Sequence, residues 1–424
     1  MAYVKTNWVD NTTPINETNL NKIEKGIYDN SLITEAIADK LNPTDTETYK
    51  TAELTEGQIT DVIGVKDIII KGQTSQNGEP TPDSPVDVNV VSGSNVINTS
   101  NKNLFNKDTV VNKTLYSGSV GQVISIGTNS NTFRCPIFKK MSDKITISAN
   151  DTSATMRVLL LDKDYKILST TSYTTLPRTI DTSNCEFIAI FFDGTTITIN
   201  NNIQIEQNST ATTYEPHQGK ELPLDLGSIE LCKIGDYQDY FYKSGSKWYL
   251  HKEISKVVLD GTEDWMKLSS INPNTSRFRM IYNDVINMGQ SNENIVCVKS
   301  NNFVATSFRQ IYISDTTSLN LISNLNNNTT NGTIIIRIDN NIIADSVEQF
   351  KTWLSTHNTI VYYVLATATN TEITGTLKEQ LEAIYNAPLY EQTNITQTNN
   401  DLPMILDITA CKDNINGIKA FIRK

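Results

Sequence analysis

Three histidines, five cysteines and 47 acidic side chains in 424 residues are the groups from which this chain could build chemistry. His217, His251 and His357 fall in three separate segments. No Gly-x-Ser-x-Gly elbow, His-Glu-x-x-His motif or phosphate-cradling glycine loop accompanies them. Each therefore reads as a structural histidine. Cys135, Cys185, Cys232, Cys297 and Cys411 lie far apart and form no Cys-x-x-Cys, against both a zinc site and a disulfide framework. They read as small buried apolar groups of a protein assembled in a reducing cytoplasm. Asp162 and Asp164 form an acidic pair after Leu161. Calcium takes about six to eight oxygens, so a solvated turn is the simpler reading. A glycan-cleaving centre needs two positioned carboxylates, and nothing in the sequence ranks one pair above another. No catalytic residue, metal or cofactor is expected, and the chain reads as a non-enzyme.

What remains is the chemistry of a binding surface. Tyr237, Tyr240, Tyr242, Trp248 and Tyr249 crowd around Lys243-Ser244-Gly245-Ser246, a hairpin signal. A symmetric hairpin would set Phe241 opposite Trp248 and Tyr240 opposite Tyr249, pairs that each stabilise by some tenths to about 1 kcal/mol. Flat aromatic faces stack on sugar rings while Asn, Asp and Gln read hydroxyls. Tyr and Trp are equally favoured at protein–protein interfaces, and simple hairpin packing is a third use of the same residues.

The formal net charge of -11 excludes nucleic acid as a partner, because its binders need a basic face. It also opposes plain electrostatic attraction to a polyanion. A cell-wall polymer would have to be held through neutral sugar faces, hydrogen bonds or a bridging cation. The first residues lack a signal-peptide core, and no stretch is apolar enough to span a bilayer. Membrane insertion is not expected.

The elements that must position these groups are mostly strands. The length predicts two or three domains, and short apolar runs bounded by Asn, Asp, Gly and Ser predict a mainly β chain. The expected architecture is an N-terminal helix (a short coiled coil), then β-sandwich or jelly-roll domains with a few short helices. Its segments are 1–42, an attachment helix; 43–94, a linker and connector strands; and 95–220, the first sandwich. After these come 221–257, the aromatic hairpin; 258–372, a second sandwich; and 373–424, a helix and strands. Ser346 with Gln349 makes a capping box ahead of the stripe Val347, Phe350 and Leu354. Thr376 with Glu379 is a second box, ahead of Leu377, Leu381 and Ile384. Further strands are expected at 359–366, 404–410 and 417–422.

In the first forty residues Pro14 suits an opening helical turn. Leu20, Ile23, Ile27, Ile37 and Leu41 share a seam that Gly26, Asn30 and Thr34 weaken. A helix this short needs partners to be stable in water. The run Trp8-x-Asp10-x-x-x-Pro14-Ile15-Asn16-x-x-Asn19-Leu20-Asn21-x-Ile23-Glu24 resembles the N-terminal segment of minor structural proteins of phages infecting Gram-positive bacteria. The proline-rich stretch 72–88 resembles a connector of such proteins, and the run from Leu222 to Lys252 resembles their tail proteins. Asn103-Leu104-Phe105-Asn106, paired with Ile203 to Pro216, is similar to the ends of carbohydrate-binding-type jelly rolls, in which Tyr214 and Pro216 would pack on the sandwich edge.

The resemblance implies a virion fibre or receptor-binding-type protein, assembled in the host cytoplasm and located on the virion. Trp8, Asp10, Asn11, Pro14, Leu20, Ile23 and Ile27 would dock it to other virion proteins. The partners implied are two more copies of itself in a homotrimer and host cell-wall polysaccharide. The alternative is a head-fibre, collar or baseplate adaptor that binds no receptor. Deleting residues 1–41 is expected to leave a folded, soluble oligomer that no longer enters particles. Sedimentation of the truncated protein, together with particle incorporation, checks this, and collapse to monomers would return the oligomerising role to the helix.

Overall fold

Strand-forming runs dominate this chain because Ile, Val, Thr, Phe and Tyr recur at alternate positions between short polar turns. The computed structural model describes residues 49–60, 66–269, 273–281, 296–307, 320–325, 332–343, 345–390, 392–398 and 402–411. The attachment residues Trp8, Asp10, Asn11, Pro14, Leu20, Ile23 and Ile27 lie outside the described residues, as does the strand expected at 417–422. Within them the protein is mainly β, with two helices.

A seven-stranded sheet forms the root. Its order is Tyr49–Leu54, Ile405–Cys411, Lys66–Lys71, Tyr240–Ser244, Lys247–Leu259, Thr359–Ile373 and Val298–Ser300. Its inward face carries Ile68, Ile70, Phe241, Trp248, Leu406 and Ile408. Against it lies a four-stranded sheet of Gly219–Asp225, Ser94–Ser100, Gln392–Thr398 and Gly57–Thr60, which contributes Leu222, Leu224, Ile97, Ile395 and Ile59. The Gly375–Tyr385 helix completes this core with Leu381 and Ile384. Its N-cap is Thr374, with no side-chain cap bond. The expected box at Thr376 and Glu379 is therefore not the start of the helix. Gly375 at φ 65° makes the entry turn, and the cap lies two residues earlier. The residues of this core come from three separated stretches, and the chain leaves the root twice.

The first excursion runs from Ser100 to Gly219. One sheet orders Ile167–Tyr173, Met156–Leu161, Phe187–Asp193, Ser125–Arg134 and Val111–Ser117, with Phe138–Lys139 beside it. The other orders Arg178–Asp181, Lys144–Ser148 and Gln204–Glu206. Ile145, Ile147, Ile180 and Ile205 of the small sheet meet Met156, Val158, Ile188, Ile190 and Phe192 of the large one. Asn103 clasps the two ends. Its Nδ2 donates to the carbonyls of Ile203 (3.2 Å) and Glu215 (2.8 Å), and its Oδ1 accepts from the N–H groups of Phe105 (2.9 Å) and Ile205 (3.1 Å). Tyr214 and Pro216 are exposed rather than packed on the edge. The closing segment is held by its backbone carbonyls, since Asn101 also donates to Pro216 O at 2.9 Å.

The second excursion passes along the Lys247–Leu259 strand and returns along Thr359–Ile373. Its own five-stranded sheet orders Trp265–Leu268, Thr275–Ile281, Thr333–Asp339, Leu321–Leu325 and Val304–Ala305. The core between this sheet and the far half of the root sheet includes Phe278, Ile334, Ile336, Leu259, Val361 and Tyr363. The Val347–Thr356 helix inserts Phe350, stacked 4.3 Å from Phe278 and edge-on 4.9 Å from Trp265. Ser346 caps it, accepting from the Gln349 N–H.

The passage between root and second excursion is marked by a shift of register between Lys252 and Ile254. Asp239, fully buried, sits against it. Its carboxylate accepts from the N–H groups of Cys232 (2.9 Å), Glu253 (2.8 Å) and Ile254 (3.0 Å), and pairs with Lys252 Nζ at 2.6 Å. Asp239→Ala leaves those donors without an acceptor and is expected to destabilise the fold by ~3 kcal/mol. Urea unfolding measures the loss, and faster amide exchange at Glu253 and Ile254 locates it.

Candidate functional site

The aromatic hairpin divides by strand parity. Gly245 (φ 59°) and Ser246 form a two-residue loop, with Ser244 opposite Lys247. Only the first loop residue takes a positive φ, the pattern of a type II′ turn. The register is one that a four-residue loop would not give: Tyr240 faces His251, Phe241 faces Leu250 and Tyr242 faces Tyr249. The expected Phe241–Trp248 and Tyr240–Tyr249 pairs do not form, because the turn is centred at Gly245-Ser246, one residue later than the centre of the Lys243–Ser246 loop. Trp248 and Phe241 are wholly buried, with the Trp248 ring edge-on to Tyr385 at 6.1 Å.

Tyr240, Tyr242, Tyr249 and His251 line the opposite, outer face of the root sheet. Ring centroids stand 4.6 Å apart for Tyr240 and His251, 5.5 Å for Tyr242 and Tyr249, and 5.8 Å for Tyr240 and Tyr242. Asn370 Oδ1 accepts from Tyr242 Oη (3.2 Å) and lies 2.9 Å from His251 Nδ1. Ion pairs flank the row, Lys247 with Glu372 at 2.7 Å and Lys71 with Asp407 at 2.9 Å. Burial pushes the Tyr240 phenol above its ordinary range, so it stays protonated. Tyr237 sits elsewhere, half-buried against the cluster of Cys232, Ile234 and Ile254. Three of the five expected interface residues thus share one surface.

A second surface was not singled out by the sequence. In the first excursion Arg157 and Leu159 face away from the two-sheet core, and the hairpin built from Val111–Ser117 and Ser125–Arg134 curls over that outer face. Tyr116 packs there with Leu159, Leu161 and Phe191. The groove so formed has a volume of about 570 Å³ and is lined by Tyr116, Asn129, Asn131, Arg157, Thr170 and Phe191, among others. The Arg157 guanidinium lies 5.8 Å from the Phe191 ring centroid and donates to Ser172 Oγ at 3.1 Å. Arg134 lies over Tyr116 at 5.1 Å. A cation on an aromatic face, ringed by amides and hydroxyls, suits a hydroxyl-rich ligand. Arg157 is the one charged residue in the run Met156–Leu161 and stands at outward parity, a signal the sequence did carry.

The loop carboxylates are occupied by their own turns. Asp162 Oδ1 accepts from the N–H groups of Asp164 and Lys166 at 2.9 and 2.8 Å. Asp151, Asp181 and Asp260 each accept from the N–H and hydroxyl of a Ser or Thr two residues on. These hydrogen bonds hold the three carboxyls below the usual carboxylate range. Cys135, Cys185, Cys232 and Cys297 are buried free thiols. Burial pushes Cys185 and Cys297 up to about 11 and Cys232 up to about 12. Among the described residues no three His, Cys, Asp or Glu side chains gather where an ion could be held. No helix there is long and apolar enough to cross a membrane.

Compared with known protein families, curated proteins and solved structures, the chain matches none.

The split of the hairpin residues is measurable. Trp248→Ala is expected to destabilise by ~3–5 kcal/mol, the range for a buried aromatic. Tyr249→Ala, on the outer face, is expected to lose about 1 kcal/mol or less. Denaturant midpoints of the two variants separate core from surface, and equal losses would refute this division.

Proposed function

We propose that the chain is a virion fibre protein of a tailed phage of Gram-positive bacteria. It is anchored by its N-terminus and displays jelly-roll-type β-sandwich modules that attach to glycans of the host surface. The observation that carries the binding part is the groove on the first excursion, where Arg157, Phe191, Asn129 and Asn131 line one concave surface. The phage part rests on the resemblances at residues 8–24, 72–88 and 222–252. The mechanism is adhesion through many weak contacts. Three chains per fibre and several fibres per particle raise the effective concentration of each groove at the surface. The net charge of -11 directs the choice of ligand toward neutral sugar faces and away from anionic polymer.

The outer face of the root sheet favours a second reading. Tyr242 stacks on Tyr249 with Tyr240 tilted beside it, and tyrosine-rich faces are common at contacts between proteins. On that reading the protein is a head-fibre, collar or baseplate adaptor that holds other virion proteins.

Adsorption of the labelled full chain to Gram-positive cells, competed by their purified wall polysaccharide, tests the first reading. Retention should fall about tenfold in Arg157→Ala. Absence of adsorption to any cell wall, with tight binding to a capsid or tail protein, would favour the adaptor. Release of reducing ends from the polysaccharide would replace both readings with an enzyme.

A further inference from the structure

A larger cleft, about 930 Å³, opens where the first excursion meets the root. That volume lies at the upper end of the ~300–1,000 Å³ typical of small-molecule sites, room for an oligosaccharide rather than one ring. Its floor is the outward face of the four-stranded sheet. The Ser94–Ser100 strand sets Asn98 between Glu221 on one side and Thr396 on the other, and Ser100 between Gly219 and Asn394. Amides, hydroxyls and one carboxylate therefore stand in rows across three strands.

The wall comes from the first excursion and carries an aromatic pair. Tyr165 and Phe187 stack with centroids 4.5 Å apart and planes 17° apart, and Tyr165 remains 41% exposed. Tyr165 occupies a left-handed backbone conformation, φ 59°, closing the turn that begins at Asp162. Glycine or asparagine is the ordinary occupant of such a position, and a bulky side chain there is strained. The strain holds a large aromatic ring at the rim of the cleft, the kind of local cost that concentrates at functional sites.

The joint is built rather than loose. Gln58 Nε2 donates to Asn394 Oδ1 (2.8 Å) and to Gln207 O (3.3 Å), and Asn394 Nδ2 donates to Asn101 O (2.7 Å). Lys139 pairs with Glu56 across the cleft. His217 donates Nδ1–H to Asn103 O at 2.6 Å. Its Nε2 lies against Gly219, where a Cβ would come within 2.9 Å. Apart from the Lys139–Glu56 pair, the charged groups lining the cleft are Asp108, Glu221 and Lys220. Such a near-neutral balance gives an anionic polymer no electrostatic advantage.

We propose that this joint cleft is a second glycan subsite, distinct from the Arg157 groove, and that it takes a neutral oligosaccharide. One sugar ring stacks on Tyr165, and Asn98, with Glu221 and Thr396 beside it, reads hydroxyls. The inference rests on the reading of the chain as a glycan-binding attachment protein. The test titrates the full chain with N-acetylchitotetraose, with maltotetraose and with an anionic hyaluronan tetrasaccharide, followed by saturation-transfer NMR. Tyr165→Gly removes the ring and relieves the positive-φ backbone, so the thermal midpoint should not fall. It should weaken at least one neutral probe about tenfold. Asn98→Ala should weaken the same probe, and the binding that remains in Arg157→Ala should be weakened further by adding Tyr165→Gly. Neutral binding that survives Tyr165→Gly and disappears in Arg157→Ala puts the sugar in the groove alone, which sinks the cleft and keeps the attachment reading. A preference for the anionic probe, or no binding of either neutral one, also overturns the cleft proposal. Cell adsorption then judges the groove independently.

Discussion

The carboxylate of Asp239 is the contact on which the arrangement of the chain depends. It lies at zero exposure, between the short Tyr237–Gln238 strand and the Tyr240–Ser244 strand, and accepts from three backbone N–H groups and one ammonium. Two of those N–H groups belong to Glu253 and Ile254, where the antiparallel pair of Lys247–Leu259 and Thr359–Ile373 shifts register. A register shift leaves backbone donors without ladder partners, and buried donors of that kind are destabilising unless something accepts from them. Asp239 supplies the acceptor. Gly72 allows the close approach, since a Cβ there would lie 2.4 Å from the Leu231 backbone. Its N–H donates to Asp239 O at 2.8 Å, and its carbonyl accepts from Gln238 Nε2 at 2.7 Å. Segments distant in sequence are thereby fixed at one point.

From that point the two excursions follow by different means. The second is continuous with the root, because both strands of its stem remain in the root sheet. The first is joined through polar groups, with the side-chain amides of Gln58 and Asn394 donating to the carbonyls of Gln207 and Asn101, beside the Lys139–Glu56 pair. A polar seam of this sort buries little apolar surface and leaves a cleft beside it. An apolar seam would have closed that space. The cleft lined by Asn98 and Tyr165 is thus a consequence of how the first excursion is attached.

Strand parity explains why aromatic residues near one another in sequence serve opposite purposes. Trp248 and Tyr249 are neighbours in the chain, and the pleat sends one into the core and the other to the outer face. Of the expected aromatic cluster, Tyr240, Tyr242 and Tyr249 share the outer face, while Trp248 lies in the core and Tyr237 against Cys232 and Ile254. The pairing depended on where the turn is centred, which set the register of every pair. Arg157 was legible by the same alternation, as an outward cation in an apolar strand. Its role beside Phe191 was not, because Phe191 comes from a strand paired through long-range contacts.

By itself the sequence determined the mainly β character, the Ser346-capped helix with its Phe350 and Leu354 stripe, and the strands at Met156–Leu161 and Phe187–Asp193. All of these are local, set by period, capping chemistry and turn residues within a few positions. Tertiary structure alone decided that root residues from three separated stretches share one core. It also decided that Tyr165 meets Phe187, and that Asn98 lies beside both Glu221 and Thr396. Those pairings join positions far apart in the chain. They are fixed by the burial of whole faces and the satisfaction of buried polar groups, which no local pattern encodes.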